Sequence, residues 1–424
     1  MVTGLGVVTP LGLELEENWR NVLAGVSAIG RLTLAGTERF PIQSVGAVSE
    51  ENWRRIKIEF PNDAAVEGER RTLFALWAAR SALNDAGMTA PVANRDRFGV
   101  FLAAGVGLCA FEDLSRWVLP QGRFDVVSFG REYEQVSRES MIRNFSSRPG
   151  ALIARRWGFG GLNCTVTSAC ASATQAIGLA GRAIQRGEAD VVLAGGADSM
   201  IHPFGLVGFA LLQAAATGPH ARCRPFDRKR LGLIIGEGAA VAVLEEQHHA
   251  LQRGARIYAE LAGYGSSMDA YQVTAPHPRG DGAASCMRGA LKDATLTPKE
   301  IDYINAHGTG TKLNDLAETL AIKGVFGETA RQIPISSSKS MIGHLMAASG
   351  APEFVFTVLS VQRDEIHPTI NLENPDPKCD LDYVPNVKRS KKVAAALSNS
   401  FGFGGQNASI VVKKYSHASA RVAT

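Results

Sequence analysis

Apolar positions along the chain alternate between short β-branched runs and stretches with helical spacing. The opening M-V-T-G-L-G-V-V reads as a strand closed by a Gly/Pro turn, and Glu14 to Ala24 carries helical periodicity. Leu73, Phe74, Trp77, Ala78 and Leu83 predict an amphipathic helix from Arg70 to Ala86 that stops at Gly87, followed by a buried strand from Phe98 to Ala104. Ser115 to Arg148 breaks the pattern with charges and aromatics, which predicts an excursion over a surface or a pocket before helix resumes at Pro149 to Trp157. Leu162 to Thr167 is β-branched and turns at Ser168-Ala169-Cys170 into small residues with Ile177, Leu179 and Ala180 at helical spacing, a buried strand feeding a buried helix. Ala189 to Gly195 and Ala239 to Glu245 are further strands. The second half repeats this outline: strand Ile257 to Gly265, helix Ala283 to Ala294, strand Ile301 to Ala306, helix Leu316 to Val325, strand Ile333 to Ser337, helix Ile342 to Val361, then closing strands. Two similar α/β modules with mixed sheets follow, residues 1–255 and 256–424. No Pro- or Ser-rich linker separates them, so one compact unit is expected.

Composition narrows the class. A chain of 424 residues, 45% of them hydrophobic, can bury a large core. Its 45 Lys+Arg against 41 Asp+Glu leave +4, which argues against a nucleic-acid binder with a basic face. The cysteines at 109, 164, 170, 223, 286 and 379 form no C-x-x-C pair and read as reduced thiols, as in the cytoplasm. No stretch is long and apolar enough for a bilayer, and no signal-peptide pattern opens the chain; the first strand begins so early that a few leading residues are expected to precede it.

Chemistry gathers at strand ends. Cys170 sits where strand gives way to helix, and a helix N-terminus favours a thiolate, so its pKa is expected to fall from about 8.5 towards neutrality. Strand Ile301 to Ala306 runs into His307-Gly308-Thr309-Gly310-Thr311, and strand Ile333 to Ser337 into Lys339-Ser340-Met341-Ile342-Gly343-His344. Ligand crevices of α/β sheets lie outside the carboxyl ends of strands, so the cysteine and both histidines are candidates to converge there. A run from Ser398 to Asn407, with Phe401 and Phe403 among its glycines, suits a pocket wall whose N–H groups form an oxyanion hole. The opening G-L-G turn lacks the spacing of a phosphate-cradling loop and is read as structural.

Taken in order, T-S-A-C-A-S, N-A-H-G-T-G-T, S-S-K-S-M-I-G-H and N-S-F-G-F-G-G-Q-N resemble the condensing enzymes, the β-ketoacyl-acyl carrier protein synthase II family and the related polyketide ketosynthases. The likeness runs from the first strand to Lys413 and is poorest over Ser115 to Arg148. It implies a duplicated thiolase-like α/β fold, two mixed sheets with helices in layers (αβαβα), and decarboxylative Claisen condensation of malonyl-acyl carrier protein with a cysteine-bound acyl chain.

Carried to this sequence, the resemblance makes Cys170 the nucleophile, His307 and His344 the decarboxylating pair, and the N–H groups of Cys170 and Phe403 the oxyanion hole. Lys339 becomes a support paired with Glu318; Thr309 and Thr311 bind the phosphopantetheine arm, Phe401 lines the substrate path, and Val106 and Phe209 line the acyl slot. Arg70 and Arg71 would dock the carrier protein. A monovalent cation, Na+ or K+, would sit at Asn305, Glu353, Ser398 and Asn399, and no organic cofactor is expected. The implied partners are acyl carrier protein and a second subunit, identical or related, with no nucleic acid and no membrane. Departures are Gly310 for serine, Gln406 for threonine, Leu231 for a carboxylate and Gln213 for a docking arginine. A non-catalytic chain-length-factor subunit would lack the cysteine, and a thiolase would use a second cysteine as base where this chain has His-Lys-His.

Overall fold

The structure, a computed structural model, describes residues 1–416 except 35, 68, 90–93, 108–113 and 137, and the backbone alone of Ser140 and Arg143. Cys109 and the Arg143 side chain therefore lie outside the described residues.

Fourteen strands are present among the described residues. In the first half they are β1 (Val2–Val8), β2 (Gly30–Arg31), β3 (Ser44–Gly46), β4 (Phe98–Ala104), β5 (Asn163–Val166), β6 (Val191–Ser199) and β7 (Ile235–Glu245). They form one mixed sheet in the order β2-β3-β7-β6-β4-β5, with β1 antiparallel to β7. The second half supplies β8 (Glu260–Met268), β9 (Tyr303–Asn305), β10 (Ile335–Ser336), the short pair β11 (Glu365–Ile366) and β12 (Arg389–Ser390), β13 (Ala395–Gly402) and β14 (Gln406–Lys413). Its main sheet runs β10-β9-β13-β14-β8 and is also mixed, β9 pairing in parallel with β10 and β13 while β14 runs antiparallel to β13 and β8.

Buried on both faces, β6 and β7 are nearly continuous runs of Val, Ala, Leu and Gly with no polar alternation, as expected of central strands. Two helices, Ser172–Gln185 and Gly350–Arg363, pack on both sheets and on each other; the second has twelve of its fourteen residues buried, which suits a helix with sheet on either side. Outside the first sheet lie Arg70–Asp85 and Arg148–Trp157, and outside the second Asp281–Asp293 and Lys312–Phe326. Five layers result, α-β-α-β-α. The main core fills the space between the sheets, where Ile177, Ala180, Val192 and Leu244 meet Phe354, Val358, Ile410 and Val412.

One expectation changes and one holds. The helix expected from Ile342 to Val361 begins only at Gly350. Before it come a four-residue helix, Lys339–Ile342, a left-handed Gly343 (φ 76°) and a 3-10 turn, Met346–Ala348. The apolar spacing there fits a helix, yet the chain breaks because Gly343 turns it against β7. Ser115 to Arg148 is irregular as expected, folding into short helices at Ser115–Trp117, Val126–Arg131, Tyr133–Gln135 and Arg138–Arg143.

Candidate active site

Cys170 is delivered by the tight turn between β5 and the helix Ser172–Gln185. Ala169 adopts a left-handed φ of 49°, uncommon for a residue with a side chain, and Ser172 straps the turn by accepting from Ser168 N (2.7 Å) and donating to Ala169 O (2.6 Å). The sulfur is buried, and its pKa moves opposite to expectation. Burial pushes the thiol up to about 11, with the Lys339 charge and a hydrogen bond from the Phe403 N–H pulling the other way. The expectation from the helix terminus fails because desolvation outweighs every stabilising contact.

His307 follows β9. Its backbone N–H and that of Gly308 donate to the two oxygens of Glu318, at 2.9 and 2.8 Å. Lys339 Nζ donates to His307 O (2.6 Å) and lies 3.2 Å from His307 Nδ1. An ammonium only donates, so Nδ1 is the bare nitrogen and the ring proton sits on Nε2. At His344 the Met346 N–H donates to Nδ1 (3.1 Å) and Ser349 Oγ lies 2.6 Å from it, which again leaves the proton on Nε2. That Nε2 is buried and has no hydrogen-bond partner among the described residues. Burial, then the Lys339 charge, hold both imidazoles well below the usual histidine value, with His344 a further cause at His307, so both rings are neutral near pH 7. The rings stand 5.3 Å apart at 83°, and ligand atoms of Cys170, His307 and His344 all lie within 4.8 Å of one another.

Gly343 makes the second histidine possible. Its φ of 76° turns the chain so that His344 N donates to Ile234 O (2.7 Å) and His344 O accepts from Gly236 N (2.8 Å), clamping the residue to the start of β7. A Cβ at Gly343 would lie 2.9 Å from Ile234 O.

The partner of Lys339 differs from the expected one. Its ammonium forms a fully buried ion pair with Glu353, while Glu318 is occupied with the His307 and Gly308 N–H groups and Asn399 Nδ2 (3.3 Å). Burial raises both Glu318 and Glu353 to about 7. Glu318 therefore holds the His307 turn and Glu353 holds Lys339, an assignment that depends on which helix face meets the strand ends. Of the four residues expected to hold a cation, three offer buried oxygens without a hydrogen-bond partner among the described residues: Asn305 Oδ1, Glu353 Oε2 and Ser398 Oγ. Asn305 and Ser398 are register partners on β9 and β13, and Asn305 Nδ2 donates to Glu353 O (3.0 Å). Three adjacent orphaned oxygens fit a hard monovalent ion. Asn399 fits less well, because its Oδ1 already accepts from Ser409 Oγ (2.7 Å).

The glycine-rich run is the β13–β14 hairpin. Phe401 is buried with its ring 5.8 Å from His307. The hairpin tip is tied to the 269–273 segment by Gly404 N to Val273 O (2.6 Å), Asp269 N to Gly405 O (2.8 Å) and Asn407 Nδ2 to Asp269 Oδ1 (2.7 Å). Gly402 needs its missing side chain, since a Cβ would meet Cys170 N and Ser168 O at 3.1 Å.

A cavity of about 570 Å³ has Cys170, His307, His344 and Phe401 on its walls, with Thr309 and Thr311 also lining it. The two threonine hydroxyls are 3.0 Å apart, and Thr311 caps the helix Lys312–Phe326. Val106 is exposed and Phe209 half-buried beside Leu206; neither lines this cavity. Arg71 is buried, its guanidinium donating to Gly105 O (2.7 Å) and Glu69 (2.9 Å), so it is unavailable as a docking cation. Arg70 is partly covered and anchored on buried Glu237 at 2.9 Å. Two residues went unnoticed in the sequence. Ser349 has no motif to mark it. Asp198 ends β6 in the G-G-A-D run, accepts from Ala347 N and Ser199 N at 2.9 Å, and is raised by burial to about 6; its negative charge is one of the influences on Cys170.

A cysteine facing two neutral imidazoles, in a duplicated five-layer α/β fold, defines a thiolase-like condensing enzyme. The chain belongs to the β-ketoacyl synthase family: the N-terminal domain model of β-ketoacyl synthase matches residues 1–250 and the C-terminal domain model residues 258–373. It is 41% identical to 3-oxoacyl-[acyl-carrier-protein] synthase 2 of Synechocystis sp. and 37% identical to that of Staphylococcus aureus, each over 98% of both chains. Among solved structures it is similar to a type II PKS ketosynthase in complex with its acyl-carrier protein and bound to the hexaketide (TM-score 0.85, 36% identity, 98% of each chain). The ishigamide ketosynthase/chain length factor is comparably close (TM-score 0.84, 34% identity, 98% of each chain).

Proposed function

We propose that this condensing enzyme elongates an acyl chain carried on phosphopantetheine by one malonyl unit. Cys170 attacks the acyl thioester, its proton leaving with the pantetheine thiol. Malonyl thioester then loses carbon dioxide, and the enolate oxygen is held by the two Nε2–H donors of His307 and His344. The enolate carbon attacks the acyl-Cys170 carbonyl, whose oxyanion accepts from the N–H groups of Cys170 and Phe403, and collapse returns the Cys170 thiolate with a β-ketoacyl product. The observation that carries this reading is the tautomer lock: Lys339 and the Met346 N–H occupy both Nδ1 atoms, leaving two proton-bearing nitrogens for the site. Cys170→Gln removes the nucleophile while keeping a group in the acyl carbonyl's place. It should release carbon dioxide from malonyl-carrier protein yet form no condensed product. Further change of either histidine to Ala should slow that release by roughly 100- to 1,000-fold, the usual loss of one oxyanion donor. Carbon dioxide release at an undiminished rate in the histidine variants sinks the assignment.

The same reading includes a monovalent cation held by Asn305, Glu353 and Ser398, whose orphaned oxygens support it. When bound it would take up Glu353 Oε2, the oxygen that Lys339 leaves without a partner, and stiffen the strand ends behind the histidines. It also includes a cytoplasmic, dimeric enzyme. No described helix is long and apolar enough to cross a membrane. Edge strand β5 has an exposed Leu162 beside it, and Val106 is also exposed, which suits a second subunit on that edge that completes the acyl slot. Sedimentation equilibrium at the monomer mass would contradict the dimer.

A further inference from the structure

The turn that follows His344 is strained, and something must hold it. Met346 adopts a left-handed φ of 48° without being glycine, and such a conformation persists only where its surroundings over-determine it. The turn Met346–Ala348 supplies little of that support itself. Met346 N donates to His344 Nδ1 (3.1 Å), Ala348 N to Leu345 O (2.9 Å) and Ser349 N to Met346 O (3.2 Å), all local contacts. The Ala347 N–H alone reaches another element, donating to Asp198 Oδ2 near the end of β6 (2.9 Å).

The surroundings of Asp198 are shaped around that contact. Its other oxygen accepts from Ser199 N (2.9 Å), and a Cβ at Gly105 would lie 2.6 Å from Oδ2 and 2.9 Å from Oδ1, so the carboxylate fills the space of a missing side chain. Gly105 is fixed in turn, its carbonyl accepting from Arg71 (2.7 Å) and Ser146 Oγ (2.8 Å). The charged groups that act on Asp198 are Arg71 and Glu69, at the start of the helix Arg70–Asp85, and its own charge acts on Cys170. The turn Met346–Ala348 brings no charge, and nearby Glu237 on β7 is taken up by Ser199 Oγ (2.6 Å) and Arg70 (2.9 Å). Asp198 is 2% exposed and does not line the cavity, so it acts on the reaction from behind the groups that touch substrate.

We propose that Asp198 is a positioning residue: by gripping the Ala347 N–H it fixes the Met346–Ala348 turn, keeps the Met346 N–H on His344 Nδ1, and so holds the His344 Nε2 proton towards the site. The inference deepens the condensing reading above and rests on it. Arg71 takes a matching role as the buried counter-charge of Asp198. The carboxylate's charge also opposes the Cys170 thiolate, so its position and its charge can be tested apart.

Two variants of the full chain make the separation. Asp198→Asn removes the charge and leaves one acceptor oxygen for two N–H donors, so one of the anchors is lost. Gly105→Ala keeps every polar group and displaces the carboxylate by filling its space, and it carries the test alone should the asparagine variant fail to fold. In the Cys170→Gln background, each should lower kcat for carbon dioxide release from malonyl-carrier protein about 10- to 100-fold, with KM within about twofold. With Cys170 intact, acyl loading followed by mass spectrometry should not fall. Iodoacetamide alkylation of Cys170 at pH 8 should rise about two- to fivefold in Asp198→Asn and stay within about twofold in Gly105→Ala. The rise in Asp198→Asn should vanish below about pH 6, where burial has already let the wild-type carboxyl take up a proton. Undiminished carbon dioxide release in the folded variants overturns the proposal. So does an equal loss of loading and release, which would make Asp198 a support of the fold in general. Failure of the condensing reading looks different, since Cys170→Gln would then release no carbon dioxide before Asp198 is touched.

Discussion

At Cys170 two demands compete, because burial raises the thiol to about 11 while the proposed attack on a thioester requires the thiolate. The raised value keeps the sulfur protonated near neutral pH, while the Lys339 charge and the Phe403 N–H favour the thiolate. Alkylation of Cys170 by iodoacetamide should therefore rise about tenfold per pH unit through the range 6 to 9 and show no plateau below about pH 10, because the thiolate fraction grows that way below the pKa. A plateau near neutrality, measured by mass spectrometry of the Cys170 peptide, would restore the helix-terminus expectation. The neutral histidines fit the same logic. A protonated imidazole beside Lys339 would put two cations in one buried site, and each neutral ring still keeps an Nε2–H donor.

Among the elements, the segment between Lys339 and Gly350 decides whether the second histidine reaches the site. As one continuous helix it would carry His344 around with the turn. The break at Gly343 instead pins His344 by two backbone hydrogen bonds to the 234–236 segment. Gly343→Ala should cost about 1–3 kcal/mol of stability, from the left-handed backbone and the close Ile234 carbonyl. It should also depress malonyl decarboxylation more than acyl loading, since Cys170 stands on a different element. Equal retention of both steps, with unchanged thermal unfolding, would show that the turn has no special role. The β13–β14 hairpin works in the same manner: the absent side chain at Gly402 lets its backbone reach the Cys170 turn, and Phe403 N–H follows from that approach.

For the whole molecule, Cys170 comes from the first half and both histidines from the second, and the two central helices join the halves into one core. Thr174 of the nucleophile helix and Ser400 of β13 are 2.7 Å apart across this junction. The orphaned oxygens of Asn305, Glu353 and Ser398 are buried, so a cation bound there would act on the stability of the fold. Exchanging potassium and sodium for a bulky organic cation should lower Tm by about 2–4 °C. Ser398→Ala, which removes one of the three oxygens, should abolish the dependence on ion type. Identical melting in all three ions would remove the cation from the scheme.

The sequence by itself determined the alternation of strands and helices and the stations of Cys170, His307 and His344 at strand ends, because hydrophobic period and short glycine-flanked motifs are local properties. Only the tertiary structure decided which groups meet. Glu353 takes Lys339 and Glu318 takes the His307 turn because helices bring them there from different sides. Arg71, charged and outward-looking in sequence, is drawn inside by the Gly105 carbonyl. Desolvation, a sum over every neighbour in space, reversed the expected shift of Cys170. The 227–232 and 310–312 segments are separated by some eighty positions and meet only because Arg230 donates to Thr311 O and Lys312 O. Chain periodicity records where a residue's own backbone goes; it carries no record of the distant charge, carbonyl or apolar group that packing sets against it.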